Sequence, residues 1–343
     1  MTNTPPEVVV ITGASAGVGR ATACAFARRG ACIGLLARGL DGLQATQDEV
    51  ESLGGKALIV QTDIADPEQI EQAAEQVEAA FGPIDIWINN AMTTVFSPIS
   101  DISPEEYRRV TEVTYLGAVW GTMAALKRMR SRNRGVIVQV SSALAYRAIP
   151  LQAAYCGAKH GLRAFTTSLR SELQHEHSNI HVTMVHMPAL NTPQFDWGRT
   201  HLTHQPQPVP PIFQPEVAAD AIVWAAHHRR RDLFVGMSSL KAVLANRIVP
   251  GFADWYLART GFKSQQTDEC IDPDRPSNLW QPMSGDYGAH GRFDDIAKSH
   301  STQLWASQNR SRMALAGAFG GAVLGGWLLR RFRTGNHRGR MHR

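Results

Sequence analysis

Cysteine is scarce in this 343-residue sequence: Cys24, Cys32, Cys156 and Cys270, with no C-x-x-C pair among the four. That excludes a zinc site of the usual thiolate spacing and a disulfide scaffold, and it fits a reducing compartment. Cys156 reads as a helix residue facing away from chemistry. His201 and His204 read as exposed loop residues, so no metal is expected. No leader is expected either. Residues 1–7 hold no basic or apolar region, and the apolar run Val8-Val9-Val10-Ile11 stops at Thr12-Gly13, too early for a signal peptide. The body of the chain is therefore expected in the cytoplasm. Charge is thin too, at 19% of residues against 43% hydrophobic, which excludes general disorder and allows a full core. The formal net charge of +5 is covered by six arginines in the acid-free stretch 330–343. The rest is close to neutral, so no nucleic-acid partner is expected. No internal repeat is present.

What the sequence does have is alternation. Apolar runs at 8–11, 33–37, 57–61, 84–88, 135–140 and 180–185 read as buried strands. Helical patterns separate them at 20–29, 43–53, 67–81, 104–129 (one helix or two that abut) and 154–176. That order predicts an α/β, Rossmann-like, doubly wound parallel sheet. Further helices are expected at 215–228 and 240–256, with a last short strand at 233–235.

Thr12-Gly13-Ala14-Ser15-Ala16-Gly17-Val18-Gly19 sits between the first strand and the first helix. Glycines there permit a tight turn and a close backbone approach to a pyrophosphate, which the helix N-terminus attracts. Gly13, Ser15, Gly17, Val18 and Gly19 are the candidate contacts. The second strand ends in Ala37-Arg38, and the nearest acid is Asp41. An acid would accept a ribose 2′-hydroxyl, whereas an arginine pairs with a 2′-phosphate. The cofactor expected is NADP(H).

Tyr155 and Lys159 stand four apart on one helix and share a face. A free phenol titrates near pH 10 and is a poor base at neutrality; a nearby ammonium favours its ionised form. Ser142, thirteen residues before Tyr155, lies past the fifth strand, at the sheet edge where open α/β proteins place their sites.

With the G-x-x-x-G-x-G loop, these residues resemble the short-chain dehydrogenase/reductase family over residues 8–256. The resemblance implies that Ser142 orients the substrate, Tyr155 is the acid/base, and Lys159 tunes it and binds the nicotinamide ribose. It also implies that Asp63 and Ile64 lie by the adenine, that Asn90 and Ala91 belong to an Asn-Asn-Ala-Gly-like motif, and that Pro188 and Thr192 meet the carboxamide. Three positions depart from the family pattern: Met92, Ala189 and Thr114. Thr114 stands where the family's Asn anchors a relay water, and a hydroxyl lacks the amide's reach.

Four parts are expected: a catalytic domain at 1–262, a polar linker or loosely packed extension at 263–312, a membrane-associated helix at 313–329 and a basic tail at 330–343. Phe195, Trp197, Ile212 and Phe213 suggest an apolar lid over a small apolar alcohol, ketone or aldehyde, of steroid, retinoid, lipid or xenobiotic type. The uncharged stretch 313–329 carries Gly317, Gly321 and Gly325 at the spacing of closely packed membrane helices. As a helix it would reach about 26 Å, just short of a bilayer core. The arginines after it oppose a simple single span. A homo-oligomer, paired through 104–129 and 154–176, is implied by the resemblance. The function expected is hydride transfer between NADP(H) and an alcohol/carbonyl pair. The alternative is a catalytically weak NADP(H)-binding sensor or scaffold at a membrane.

Overall fold

The computed structural model describes residues 5–272 and 274–310. The chain divides into two compact units, residues 1–301 and 302–343. In the second, the described residues, 302–310, hold a short helix, Thr302–Gln308. The expected helix at 313–329 and the basic tail lie outside the described residues. Among the described residues, no helix is long and apolar enough to cross a membrane.

The first unit is built on β1 (Val8–Thr12), β2 (Cys32–Ala37), β3 (Lys56–Gln61), β4 (Ile86–Asn89), β5 (Val136–Ser142), β6 (His181–Met187) and β7 (Asp232–Phe234). They pair in parallel in the order β3-β2-β1-β4-β5-β6-β7. The helices are α1 (Gly17–Ala27), α2 (Leu40–Ser52), α3 (Pro67–Phe81), α4 (Pro104–Thr111), α5 (Gly117–Arg132), α6 (Ala153–His175), α7 (Pro215–His227), α8 (Met237–Ile248) and α9 (Pro250–Thr260). β1 and β2 are buried along their whole length, which is why they run apolar without alternating. The direction of winding reverses between β1 and β4. Their C-terminal ends diverge there and leave a crevice.

Local chemistry sets several boundaries. Asp66 caps α3 by accepting from the backbone N–H groups of Glu68 and Gln69, and Pro67 opens the helix. Ser103 and Glu106 form a capping box on α4. The pattern at 104–129 resolves into two helices that abut, α4 and α5, joined by a π-turn over Glu112–Leu116 that contains Thr114. Such turns are often found at functional sites. Beneath the end of β4 lies a buried polar network. Asn89 accepts from Trp87 Nε1 (2.8 Å) and donates to Thr122 (3.0 Å) and Gln139 (3.1 Å). Every member is paired, so the network holds the strand end in one place.

Two expectations need correcting. Residues 263–301 are no loose extension: they belong to the first unit. Gln266–Cys270 pairs antiparallel with His204–Pro206. Arg275 donates to the carbonyls of Asp196 (2.6 Å) and Gly198 (2.5 Å). Leu279 is fully buried. The stretch is polar because backbone and charged contacts hold much of it, with Leu279 and Phe293 as isolated apolar anchors. The apolar lid is also partly core. Phe195 and Ile212 pack with Phe96 and Phe293 in a buried cluster, and Phe213 is buried as well, its ring against Gly236.

Candidate active site

A cavity of about 460 Å³ opens at the C-terminal ends of the strands. Gly13, Ser15, Gly17, Val18, Arg38, Asp63, Ile64, Asn90, Ala91, Ser142, Tyr155, Lys159, Pro188 and Thr192 all line it, so the geometry brings nearly every candidate residue together. Gly19 and Thr114 stand behind its wall. Leu144, Ile149, Val209 and Leu257 make part of the lining apolar.

The glycine loop turns out of β1 with positive φ at Gly13 (68°) and Gly17 (55°), a conformation that side chains resist. No side chain caps α1; its first N–H, that of Gly17, donates to the Gly288 carbonyl at 3.1 Å, and no side chain takes the N–H groups that follow. Thr12 ties the loop to β4. Its hydroxyl accepts from the N–H groups of Asn90 (2.9 Å) and Ala91 (3.1 Å), while Asn90 Nδ2 donates to the carbonyls of Thr12 (2.9 Å) and Gly13 (3.2 Å). The crevice walls are thereby clamped at one spacing.

Tyr155 and Lys159 project from the first turns of α6. The Lys159 ammonium lies 5.6 Å from the Tyr155 ring centroid and donates to the Val140 carbonyl at 2.8 Å. The Ser142 hydroxyl hydrogen-bonds the Tyr155 phenol and accepts from Leu144 N–H at 3.1 Å. Burial pushes the phenol well above its ordinary value, and the Ser142 hydrogen bond opposes that. The net direction is opposite to the one expected from the neighbouring ammonium, because burial takes the phenolate out of water. Burial also pulls Lys159 down, from 10.5 to about 8.

Thr114 is buried in the π-turn. Its hydroxyl donates to the Thr93 carbonyl (2.8 Å) and accepts from the Thr93 N–H (3.0 Å). It thus anchors the segment after β4. Arg38 has partners that the sequence did not suggest. It donates to the carbonyls of Trp280 (2.9 Å), Leu279 (3.4 Å) and Asn278. Asp63 is paired with Arg109 at 2.5 Å, and Arg109 also donates to the Leu279 carbonyl at 3.2 Å. Arg109 was missed in the sequence. Its signal was there: it shares the buried stripe of α4 with Glu106 and Val110. His201 pairs with Glu106, and among the described residues no cluster could hold a metal ion.

Residues 7–200 match the family model described as short chain dehydrogenase. The chain belongs to that family. An uncharacterised oxidoreductase of Bacillus subtilis, YxnA, is 30% identical over 319 residues, 92% of this chain and 89% of its own. The mouse dehydrogenase/reductase SDR family member 7B is 36% identical over 189 residues, 54% of this chain and 58% of its own. Among solved structures, an alcohol dehydrogenase from the archaeon Thermococcus sibiricus, complexed with 5-hydroxy-NADP, is similar with a TM-score of 0.59. It is 26% identical and covers 67% of this chain and 95% of that one. A metagenomic short-chain oxidoreductase in complex with NADP has a TM-score of 0.57 at the same 26% identity, covering 67% of this chain and 97% of its own. This short-chain dehydrogenase is therefore an oxidoreductase, and its sheet is the family's Rossmann-like sheet.

Proposed function

We propose that this chain moves a hydride between NADP(H) and an apolar alcohol/carbonyl pair, with Tyr155 handling the proton. One observation carries the reading: the glycine loop and the Ser142, Tyr155 and Lys159 side chains share one cavity. The residues present fit the cofactor. A Cβ at Gly13 would come within 2.7 Å of Ala91 Cα, so the cradle exists only with glycine there. At the other end, Arg38 lines the cavity with no carboxylate among the described residues bound to it, and Asp63 beside it is already paired with Arg109. That positive surplus suits a 2′-phosphate, and both NADP-type complexes among the solved relatives agree with it.

When bound, the nicotinamide gives or takes the hydride. The chain does the rest. Ser142 holds the substrate oxygen. Tyr155 gives that oxygen its proton in reduction and takes it back in oxidation. Lys159 keeps a positive charge beside the phenolate left behind. The apolar lining at Leu144, Ile149, Val209 and Leu257 favours an apolar substrate. Met123, 55% exposed on α5, is open to a second copy, as the family's pairing through α5 and α6 requires. The cytoplasm, where the cofactor is found, is the expected site of action. The second reading, a catalytically weak NADP(H) sensor, rests on Thr114, whose hydroxyl is already engaged on both sides with Thr93.

Titration of the purified protein with NADPH and NADH decides between them. NADPH should bind at least about tenfold tighter, since the paired phosphate contributes charge-assisted hydrogen bonds. Turnover of apolar ketones or aldehydes should follow. Binding without turnover favours the sensor, and no binding of either nucleotide ends both readings.

The direction of the pKa shifts predicts the pH response. A raised phenol stays protonated through neutral pH, ready as an acid, so carbonyl reduction should be level from about pH 6 to 7. Lys159 is charged below its depressed value and neutral above it. Reduction should therefore fall as pH rises through about 8, when the charge beside the phenolate is lost. Oxidation of the alcohol should gain as the phenol ionises. Rate profiles in both directions test this, and a reduction rate climbing through that range contradicts it.

A further inference from the structure

Residues 278–288 run along the outside of the cavity, beyond the segment that the family model matches. They contain no helix or strand. Their order comes from contacts, and two of the partners, Arg38 and Gly17, line the cofactor crevice. The carbonyls of Asn278, Leu279 and Trp280 take the Arg38 guanidinium. The Leu279 side chain is buried against Val95, Val110 and Ala154. The Gly285 N–H donates to Asp41 just past β2 at 2.6 Å. Asp286 pairs with Arg20 of α1. The Gly288 carbonyl accepts from Gly17 N–H, inside the glycine loop, at 3.1 Å. Asn278, Pro282, Met283, Gly285 and Tyr287 face the cavity itself.

A segment tied to the end of β2, to α1 and to the glycine loop crosses the crevice along the path a dinucleotide takes. We propose that residues 278–288 are a strap that completes the cofactor site, closing over the adenosine half so that NADP(H) leaves and enters only when the strap lifts. The proposal rests on the NADP(H) reading above and deepens it. The three carbonyls hold the Arg38 guanidinium at the cavity mouth in a fixed orientation, and a planar donor fixed in this way loses little freedom on meeting a phosphate. Past Asp286, Tyr287 packs edge-on against Trp197 at 4.7 Å, which joins the strap to the lid segment.

The test removes two exposed anchors and leaves the cofactor residues alone. In an Asp41→Ala, Asp286→Ala double variant, Gly285 loses its acceptor and Arg20 its strap partner. Stopped-flow fluorescence of bound NADPH, chased with excess NADP, reads the dissociation rate. The double variant should release NADPH about tenfold faster or more, as two lost hydrogen bonds imply. Hydrogen exchange should show residues 278–288 protected further when NADPH binds the unaltered protein. An unchanged dissociation rate in a variant that still binds NADPH, or no added protection of the strap, overturns the proposal. Failure of the unaltered protein to bind NADPH would instead defeat the cofactor reading, so the two failures are distinct.

Discussion

Tyr155→Phe is expected to lower kcat by about a thousandfold, the usual size of a general acid's contribution, while NADPH affinity changes less than about threefold. The ring stays, so the packing at the cavity wall stays. The only group lost is the hydroxyl, whose side-chain partner is Ser142. Ser142 keeps its contact with the Leu144 N–H, so no buried donor is stranded and the melting temperature should hold. The effect should be large because Tyr155 is the phenol beside Ser142 and Lys159; Tyr287, which also lines the cavity, is packed edge-on against Trp197. Tyr146, nine residues earlier, is turned toward His186, 3.4 Å from its ring nitrogen, and does not line the cavity. Lys159 is committed to the Val140 carbonyl. Steady-state rates with saturating NADPH and a nucleotide titration of the same sample measure both arms. Retention of a tenth or more of the activity would remove Tyr155 from the acid's role.

The parts of this site that could be read from sequence are those with a period or a fixed neighbour. Tyr155 and Lys159 share a helix face, and the glycine loop sits between an apolar strand and a helix; both signals are local. The sheet order follows from strands and helices of the right lengths in alternation. Arg109 apart, what escaped has no local signature. The strap at 278–288 is held by its own backbone carbonyls and by Asp41, Arg20 and Arg38, and carbonyls carry no residue code. Its polarity therefore looked like that of a linker. The direction of the Tyr155 shift depends on how deeply the phenol is buried, a tertiary property that helix spacing does not carry. Thr114 was read as a weak substitute for an amide. Its two hydrogen bonds to the Thr93 backbone show a different use, as a clamp on the segment after β4.

Gly19→Ala should be destabilising by about 2 kcal/mol and should weaken NADPH binding by about a hundredfold, although local propensity argues the reverse. Gly19 lies in the first turns of α1, where alanine is the better helix former by about 1 kcal/mol. Backbone conformation is not the obstacle, because Gly19 has no positive φ. Space is. A Cβ there would overlap the Gly13 carbonyl oxygen and come within 2.7 Å of Asn90 Nδ2. Both are the atoms that clamp β1 to β4, and neither is the free end of a flexible side chain. The loop must shift, and overpacking of this kind costs about 1–3 kcal/mol or more. A displacement of about 1 Å in positioning atoms can cost a hundredfold, here in the fit of the pyrophosphate cradle. Gly251→Ala is the control. It sits at the start of α9 with nothing within 4 Å of a new Cβ, so propensity alone should act and stability should hold or rise. Thermal melts and NADPH titrations of the two variants separate the effects. If Gly19→Ala melts and binds like the unaltered protein, close approach of α1 to the loop is not what shapes the cofactor site, and the cradle must be set by the positive φ at Gly13 and Gly17 alone.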